Sequence, residues 1–304
     1  MYRYLDSRPA GNSSISLLAR AIGKIAQTEG DHTTAIPALT LHRRNAPTKP
    51  LHCIYGLGLG VVVQGEKQVM LGDAVIDYGP GQSMVTTIDL PVVTHVARAS
   101  FHEPFLGLVL TLDSRHVVQM ASEMELPQPS RGGVYRPISI EALDGPLVEA
   151  LARLVGLLDE PALLPRLAPL IQQEITIRLL AGPHGSQLQH LVASGSPSQQ
   201  IAKAVAWLKQ NFTRTLHVDE LAARAHMSPS TFRQHFRNIT GISPLQFQKQ
   251  LRLQEARQLM LNQDLDAGNA GGQVGYQSAS QFNREYSRLF GTPPQRDVRR
   301  MRAN

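Results

Sequence analysis

The chain has one cysteine, Cys53, among 304 residues, which excludes an intramolecular disulfide. It has no apolar run long enough to cross a bilayer. Its apolar runs, Leu106 to Leu112 among them, fall far short of the roughly 20 residues a spanning helix needs. The first residues lack the basic start, apolar core and small-residue cleavage site of a signal peptide. A soluble, cytoplasmic protein is therefore expected. No His-x-His pair occurs anywhere, although His52, His95, His102 and Glu103 are present. Neither a metal nor a cofactor is expected. Gly56-Leu-Gly-Leu-Gly60 precedes a β-rich run and lacks the Gly-x-Gly-x-x-Gly spacing, so it reads as strand or turn glycines and not a phosphate loop.

What is present divides the chain in two. Its length suits two ordinary domains. The net charge of +6 is unevenly spread. From Ile201 onward there are 15 Lys and Arg against 7 Asp and Glu, a surplus of +8; the remainder carries 15 against 17, or −2. A basic domain attracts polyanions and steers them in quickly. The Arg296, Arg299, Arg300 and Arg302 cluster is expected to grip phosphates.

The basic part contains one unit twice, fifty positions apart. Ser228, Ser230, Phe232, Phe236, Gly241 and Pro244 match Ser278, Ser280, Phe282, Tyr286, Gly291 and Pro294. In each copy a serine can cap a helix and a glycine can stop it. Phe232, Phe236 and Ile239 form one apolar stripe; Phe282, Tyr286 and Leu289 form the other. The opposite faces carry Ser230, Arg233, Gln234 and Arg237, and Ser280, Asn283, Arg284 and Arg288. These are donors and acceptors suited to base edges and phosphates. Residues 216–225 read as a companion helix, which completes a helix-turn-helix. The second companion, about 266–274, is expected to be present but easily frayed, because Gly268, Gly271 and Gly272 each cost roughly 1 kcal/mol against alanine. Residues 244–261 predict a long helix joining two small lobes. The plainer alternative is an all-α domain whose charges are merely solvated; two copies in register argue against it.

The first part has a different texture. Residues 13–27 read as a helix, followed by short β-rich runs at 51–55, 59–63, 68–71, 74–78, 83–87, 92–97 and 105–112, separated by Gly, Pro and Asp. Strands at that spacing suggest a barrel or a sandwich. Helices are expected near 113–123, 143–158 and 163–180, the last two with broad apolar faces that could cover the sheet or pair two subunits. Residues 183–200, rich in Gly, Ser, Gln and Pro, read as a linker between a 1–182 domain and a 201–304 domain.

Several strings resemble the DNA-binding domain of the AraC/XylS-type transcriptional regulators. They are Leu221 to Phe232, Gly241-Ile-Ser-Pro-Leu245, Leu251 to Arg257, Val274-Gly-Tyr-Gln-Ser-Ala-Ser-Gln-Phe282 and Phe290-Gly-Thr-Pro-Pro294. Val63-Gln-Gly-Glu-Lys67, Asp89-Leu-Pro91 and Pro104 to Asp113 resemble the N-terminal domain of one branch of that family. The resemblance implies an α+β two-domain chain. A cupin-like β-barrel with flanking helices would serve as effector and dimerisation domain. An all-α domain with two helix-turn-helix lobes on a long connecting helix would follow.

The function expected is sequence-specific transcriptional regulation in a bacterium, not catalysis. Double-stranded DNA is the expected partner, with a small effector or an electrophile or oxidant sensed in the barrel. RNA polymerase would join if the protein activates, and a homodimer is possible. Cys53 and Tyr55 are the candidate effector-sensing residues. Alternation puts them on one face of a strand and His52 on the other, which weakens any activation of the thiol by His52. Two alternatives remain: a cupin-type metabolic enzyme with a DNA-binding tail, and an architectural binder indifferent to sequence.

Overall fold

The structure is a computed structural model that describes residues 12–126, 135–190 and 195–302. The N-terminal part begins with α1 (Asn12–Ile25) and continues with β1 (Gly30–Thr33), β2 (Leu39–Arg44), β3 (Leu51–Tyr55), β4 (Gly58–Gln64), β5 (Glu66–Leu71), β6 (Ala74–Tyr78), β7 (Gln82–Thr86), β8 (Leu90–Arg98) and β9 (Phe105–Thr111). It ends with α2 (Ser114–Glu123), β10 (Ile138–Ala142), α3 (Gly145–Gly156), α4 (Leu164–Ala181) and the short α5 (Gly185–Gln189). Every strand pair is antiparallel, and two sheets result. One has six strands in the order β1-β2-β9-β4-β7-β10; the other has four, in the order β3-β8-β5-β6.

The two sheets face each other. Alternation decides what lies between them. Val62, Met84 and Phe105 from the larger sheet pack with Val69, Tyr78, Leu90 and Val92 from the smaller. The larger sheet turns Leu39, Leu41, Leu59, Val85, Leu108 and Leu110 the other way, onto Leu18 and Ile22 of α1, Leu151 of α3 and Ile175 of α4. Both faces of that sheet are therefore covered, which is why β4 is apolar almost throughout and does not alternate.

The sequence reading placed seven strands and four helices within a few residues of where they form. It missed β1, β2 and β10. β1 (Gly30-Asp-His-Thr33) and β2 (Leu39-Thr-Leu-His-Arg-Arg44) are polar on one face and become strands because β2 pairs along the whole of β9. Within the expected linker segment, His184 is buried, with Nε2 2.9 Å from Ser83 Oγ and Nδ1 2.7 Å from Ser139 Oγ. α5 follows it, and α6 opens at Pro197, so tertiary packing reaches well into that stretch.

The C-terminal part is helical: α6 (Pro197–Asn211), α7 (Val218–Arg224), α8 (Pro229–Thr240), α9 (Pro244–Asn262), α10 (Ala267–Gln273), α11 (Ala279–Phe290) and α12 (Pro294–Arg302). α9 has no single apolar side. Phe247 and Leu251 join the first lobe, with Phe232, Phe236, Leu208 and Leu221; Leu253, Ala256 and Met260 join the second, with Phe282, Tyr286 and Val298. The second companion helix is firmer than its glycine content suggests. Asp266 caps it through the N–H groups of Gly268 and Asn269, and the Phe282 ring lies against Gly271. A Cβ on Gly271 would sit 2.9 Å from Phe282 Cγ, so the glycine there makes room for the core. Among the described residues, no helix is long and apolar enough to cross a membrane.

Two outcomes follow. Gly271→Ala should destabilise the protein by about 1–3 kcal/mol through overpacking. Gly272→Ala, where an added Cβ meets nothing within 4 Å, should be neutral or stabilising by up to about 1 kcal/mol, both read by urea unfolding. His184 gives the second. Burial lowers its pKa from 6.5 to about 4, so the unfolded chain binds its proton first as pH falls. Stability should therefore decline between pH 6.5 and about 4, by an amount on the order of 3 kcal/mol. The slope should flatten in that window in His184→Gln, measured by denaturation at a series of pH values.

Candidate functional site

Each half of the basic domain builds the same surface by the same means. In α8, Ser228 Oγ accepts from the N–H of Thr231, and Gly241 closes the helix in the left-handed region at φ 77°. In α11, Ser278 Oγ accepts from the N–H of Gln281, and Gly291 closes it at φ 70°. Phe232 and Phe236 are buried under α8, and Phe282 and Tyr286 under α11. With the aromatic stripe turned inward, Ser230, Arg233, Gln234, Arg237, Ser280, Asn283, Arg284 and Arg288 are all exposed. Arg233 makes an exposed contact with Asp219 at 3.3 Å, which screening by water leaves weak. Arg284, Asn283 and Arg288 border an open concavity of about 770 Å³ with Ser287 and Gln295.

The spacing of the two helices is set by α9. Its 19 residues span about 28 Å. The Arg252 guanidinium on α9 donates to Phe212 O (2.7 Å), Thr213 O (3.1 Å), Arg214 O (2.9 Å) and Gly275 O (3.1 Å). The first three carbonyls lie between α6 and α7; the fourth is the turn before α11. One side chain thus ties the first lobe to the second. Gln248 adds bonds to Phe212 O and Arg214 O. In the sequence nothing local separates Arg252 from Lys249 and Arg257 on the same helix. Only the tertiary structure reveals that it serves carbonyls and not phosphates.

The arginine tail is likewise divided. Asp297, fully buried, pairs with the buried Arg257 at 2.8 Å, accepts from Tyr286 Oη at 2.9 Å and pairs with Arg300 at 3.0 Å. Arg302 pairs with Asp264 and donates to Met260 O. Arg300 and Arg302 therefore have partners within the second lobe, and all four arginines of the tail remain exposed.

The barrel docks on the back of both lobes. The turn between β5 and β6 places Gly72 against Gly241, the C-terminal stop of α8. A Cβ on Gly241 would lie 2.9 Å from Gly72 N, and both residues have positive φ, so neither position accommodates a side chain. α9 and α11 pack on β3. Gln254 donates to His52 O at 2.7 Å, and the His52 ring meets the Phe290 ring edge-on with centroids 6.4 Å apart. Phe290 in turn carries the Arg257 guanidinium at 4.4 Å. Lys209 of α6 pairs with Asp89 at 2.6 Å.

β3 has a second face. A cavity of about 260 Å³ lies between the two sheets, lined by Tyr55, Tyr78, Met84 and Val109 among others, with His42 and Lys67 at its margin. Tyr55 donates to Thr94 Oγ1 at 3.0 Å. Cys53 lies beside it, but its surroundings differ from what a sensing thiol requires. Burial pushes the Cys53 thiol up to about 11, more than Lys67 and Arg257 lower it. A protonated thiol is a poor nucleophile. His52 points away from Cys53, as alternation requires. Among the described residues, no three His, Cys, Asp or Glu side chains come together as a set that could hold a metal.

Comparison with known proteins agrees with both halves. Residues 35–187 match the family model "AraC-type transcriptional regulator N-terminus", and residues 221–300 match a helix-turn-helix domain. RclR of Escherichia coli, an RCS-specific HTH-type transcriptional activator, is 40% identical over 77 residues, which are 25% of this chain and 27% of that protein. ExsA of Pseudomonas aeruginosa, an HTH-type transcriptional regulator, is 25% identical over 132 residues, 43% of this chain and 47% of that protein. The chain spans only about a quarter to a half of these curated relatives. ToxT from Vibrio cholerae shares the fold across both domains, with a TM-score of 0.55 at 10% identity, covering 86% of this chain and 96% of that one. On the matched N-terminal domain and the helix-turn-helix domain behind it, the chain belongs to the family of AraC-type transcriptional regulators.

Proposed function

We propose that this chain is a sequence-specific transcriptional regulator that reads DNA with α8 and α11 in two successive major grooves. The observation that carries the reading is the matched pair of surfaces. Two helices with the same cap, the same stop and the same buried aromatic pair present eight exposed polar residues, on a domain of charge +8. In the first groove Ser230, Arg233, Gln234 and Arg237 would face the bases and backbone; in the second, Ser280, Asn283, Arg284 and Arg288 would. Arginine pairs bidentately with guanine, and Gln or Asn with adenine. The length of α9 suits a repeat near one turn of the duplex, about 34–36 Å.

In this reading, residues 1–182 form an effector and dimerisation domain, 183–200 the connection, and 201–304 the DNA reader. A small molecule enters the cavity beside Tyr55, and β3 relays its presence to α9 and α11. Cys53 takes no part in the chemistry, because burial keeps its thiol protonated and it does not line the cavity. α4 leaves Leu163, Leu167, Leu170 and Ile177 exposed at spacings of four, three and seven, and a second copy pairing there would make the dimer. RNA polymerase is the further partner if the protein activates. A DNA reader of this kind acts in the bacterial cytoplasm.

The test is selection of random DNA fragments by the full-length protein near physiological salt, followed by two variants. Two short sequence blocks about one turn apart are expected. Arg284→Ala should keep the fold, lose on the order of 1–3 kcal/mol of binding and relax one position of the second block. Phe282→Ala should lose binding by unfolding the second lobe, at a cost of about 3–5 kcal/mol in stability. Salt-sensitive binding with no selected motif would replace this reading with an architectural binder. Arg284→Ala binding like the parent would overturn the face assignment.

A further inference from the structure

We infer that Gln281, on the first turn of α11, reads an adenine in the second DNA block, and that Glu285 is the positioning residue that turns its carboxamide to the base. The inference rests on the reading above, that α8 and α11 enter successive major grooves. It adds to that reading a specificity-determining contact that the first lobe lacks.

Glu285 lies one turn beyond Gln281 on α11, and two other elements of the lobe hold it. Lys249 of α9 reaches its Oε1 at 2.8 Å, and the hydroxyl of Tyr276, in the turn before α11, donates to its Oε2 at 2.8 Å. The Gln281 amide Nε2 donates to Oε1 at 3.1 Å. The Glu285 side chain is only 18% exposed. Burial raises the pKa of this carboxyl, but the bonds from Lys249, Gln281 and Tyr276 outweigh it and hold the group below its usual range. Glu285 is thus a charged carboxylate with both oxygens engaged by its own domain. It is not free to accept from a cytosine amino group, the base contact a glutamate would otherwise make. A polar pair one turn apart on an exposed helix is commonly a weak local contact. Here the carboxylate end is fixed from outside the helix, so the amide meets an anchor and not a second mobile side chain.

The anchor decides which way the amide faces. An amide oxygen repels a carboxylate oxygen, so the nitrogen turns inward and the oxygen outward. Glu285 takes one of the two N–H groups. The oxygen and the second N–H are left for a partner outside the protein, one acceptor and one donor on the same group. Adenine presents the complementary pair in the major groove, its N6 amino group and N7. Gln281 is exposed and stands three residues after the capping Ser278. In a helix-turn-helix, the N-terminal residues of the second helix are the ones that meet base edges.

The first lobe builds this position differently. Fifty residues earlier, Thr231 stands in place of Gln281 and His235 in place of Glu285. Thr231 Oγ1 lies 2.8 Å from Oγ of the capping Ser228, so its short side chain serves the start of the helix. The two helices share their cap, stop and aromatic stripe but not this contact. The adenine preference therefore belongs to the second block alone.

The experiment repeats the selection of random fragments with full-length Gln281→Ala, Glu285→Gln and Glu285→Ala. Competition binding then compares the selected site with sites changed at single base pairs. The second block is the one that Arg284→Ala relaxes. In the parent, that block should contain an A·T pair whose replacement weakens binding by about 5- to 150-fold, the range of one bidentate base contact. Gln281→Ala should melt with the parent and lose discrimination at that pair alone. Glu285→Gln, which keeps an oxygen to accept from Gln281, should retain it. Glu285→Ala should lower it while the neighbouring pairs keep theirs. If Gln281→Ala selects the parent motif unchanged, or relaxes a G·C pair instead, this inference is overturned and the two-groove reading stands. If Glu285→Ala weakens every pair of the second block alike, Glu285 only holds the lobe together and its positioning role is overturned. If the parent itself selects no motif, the two-groove reading falls and this inference falls with it.

Discussion

α8 and α11 take their positions from α9, which packs into both lobes and ties them together through the Arg252 guanidinium. Four backbone carbonyls from two separate lobes converge on that one planar group. These carbonyls lie at chain reversals, where no helix or strand partner is available to them. A lysine could not serve them, because a single ammonium lacks the flat spread of donors that the four positions require. Remove this interaction and each lobe keeps its aromatic core and its packing on α9, but the direct tie between the 212–214 carbonyls and Gly275 is lost. A bipartite reader depends on the distance between its two helices more than on any single base contact.

The same spine connects the reader to the barrel. Gln254, one turn or less from Arg252 and Arg257, donates to His52 O on β3, and the Phe290 ring sits between His52 and the Arg257 guanidinium. Arg257 in turn completes the buried set with Asp297 and Tyr286. β3 therefore meets the DNA-binding domain around His52 and borders the cavity at Ile54 and Tyr55. Any ligand that shifts Tyr55 acts on the strand that carries His52, without an intervening loop to absorb the movement. The Gly72–Gly241 contact adds a steric stop at the end of α8, where backbone meets backbone and no flexible side chain can yield.

Much of the DNA-binding domain was legible in the sequence because its signals are local. A serine cap, a glycine stop and a 3.6-residue aromatic stripe lie within fourteen residues, and the repeat states them twice. The barrel strands from 51 to 112 were legible for a similar reason, being short β-rich runs cut by turn residues. β1 and β2 were not, since β2 becomes a strand by pairing with β9 and β1 by pairing with β2, and not from their own residues. Nor was the firmness of α10. Propensity counted Gly271 as a cost, but only the fold places the Phe282 ring where a methyl group would have to be.

The sequence by itself determined the two-part organisation, the two polar helix faces, the long helix between them and the concentration of positive charge on one domain. These follow from periodicity and composition, which need no knowledge of distant residues. Tertiary structure alone decided which cations were free to meet DNA. Arg252 and Arg257 look like their neighbours in sequence, yet both are drawn into carbonyls or carboxylates of their own domain. It also decided what meets across the strands: the register sets Lys67 opposite Tyr78, and Asp31 of β1 across from His42. The physical reason is the same in both cases: the partner of a charged group is fixed by strand pairing and helix packing between residues far apart in the chain, and a local pattern carries no record of that.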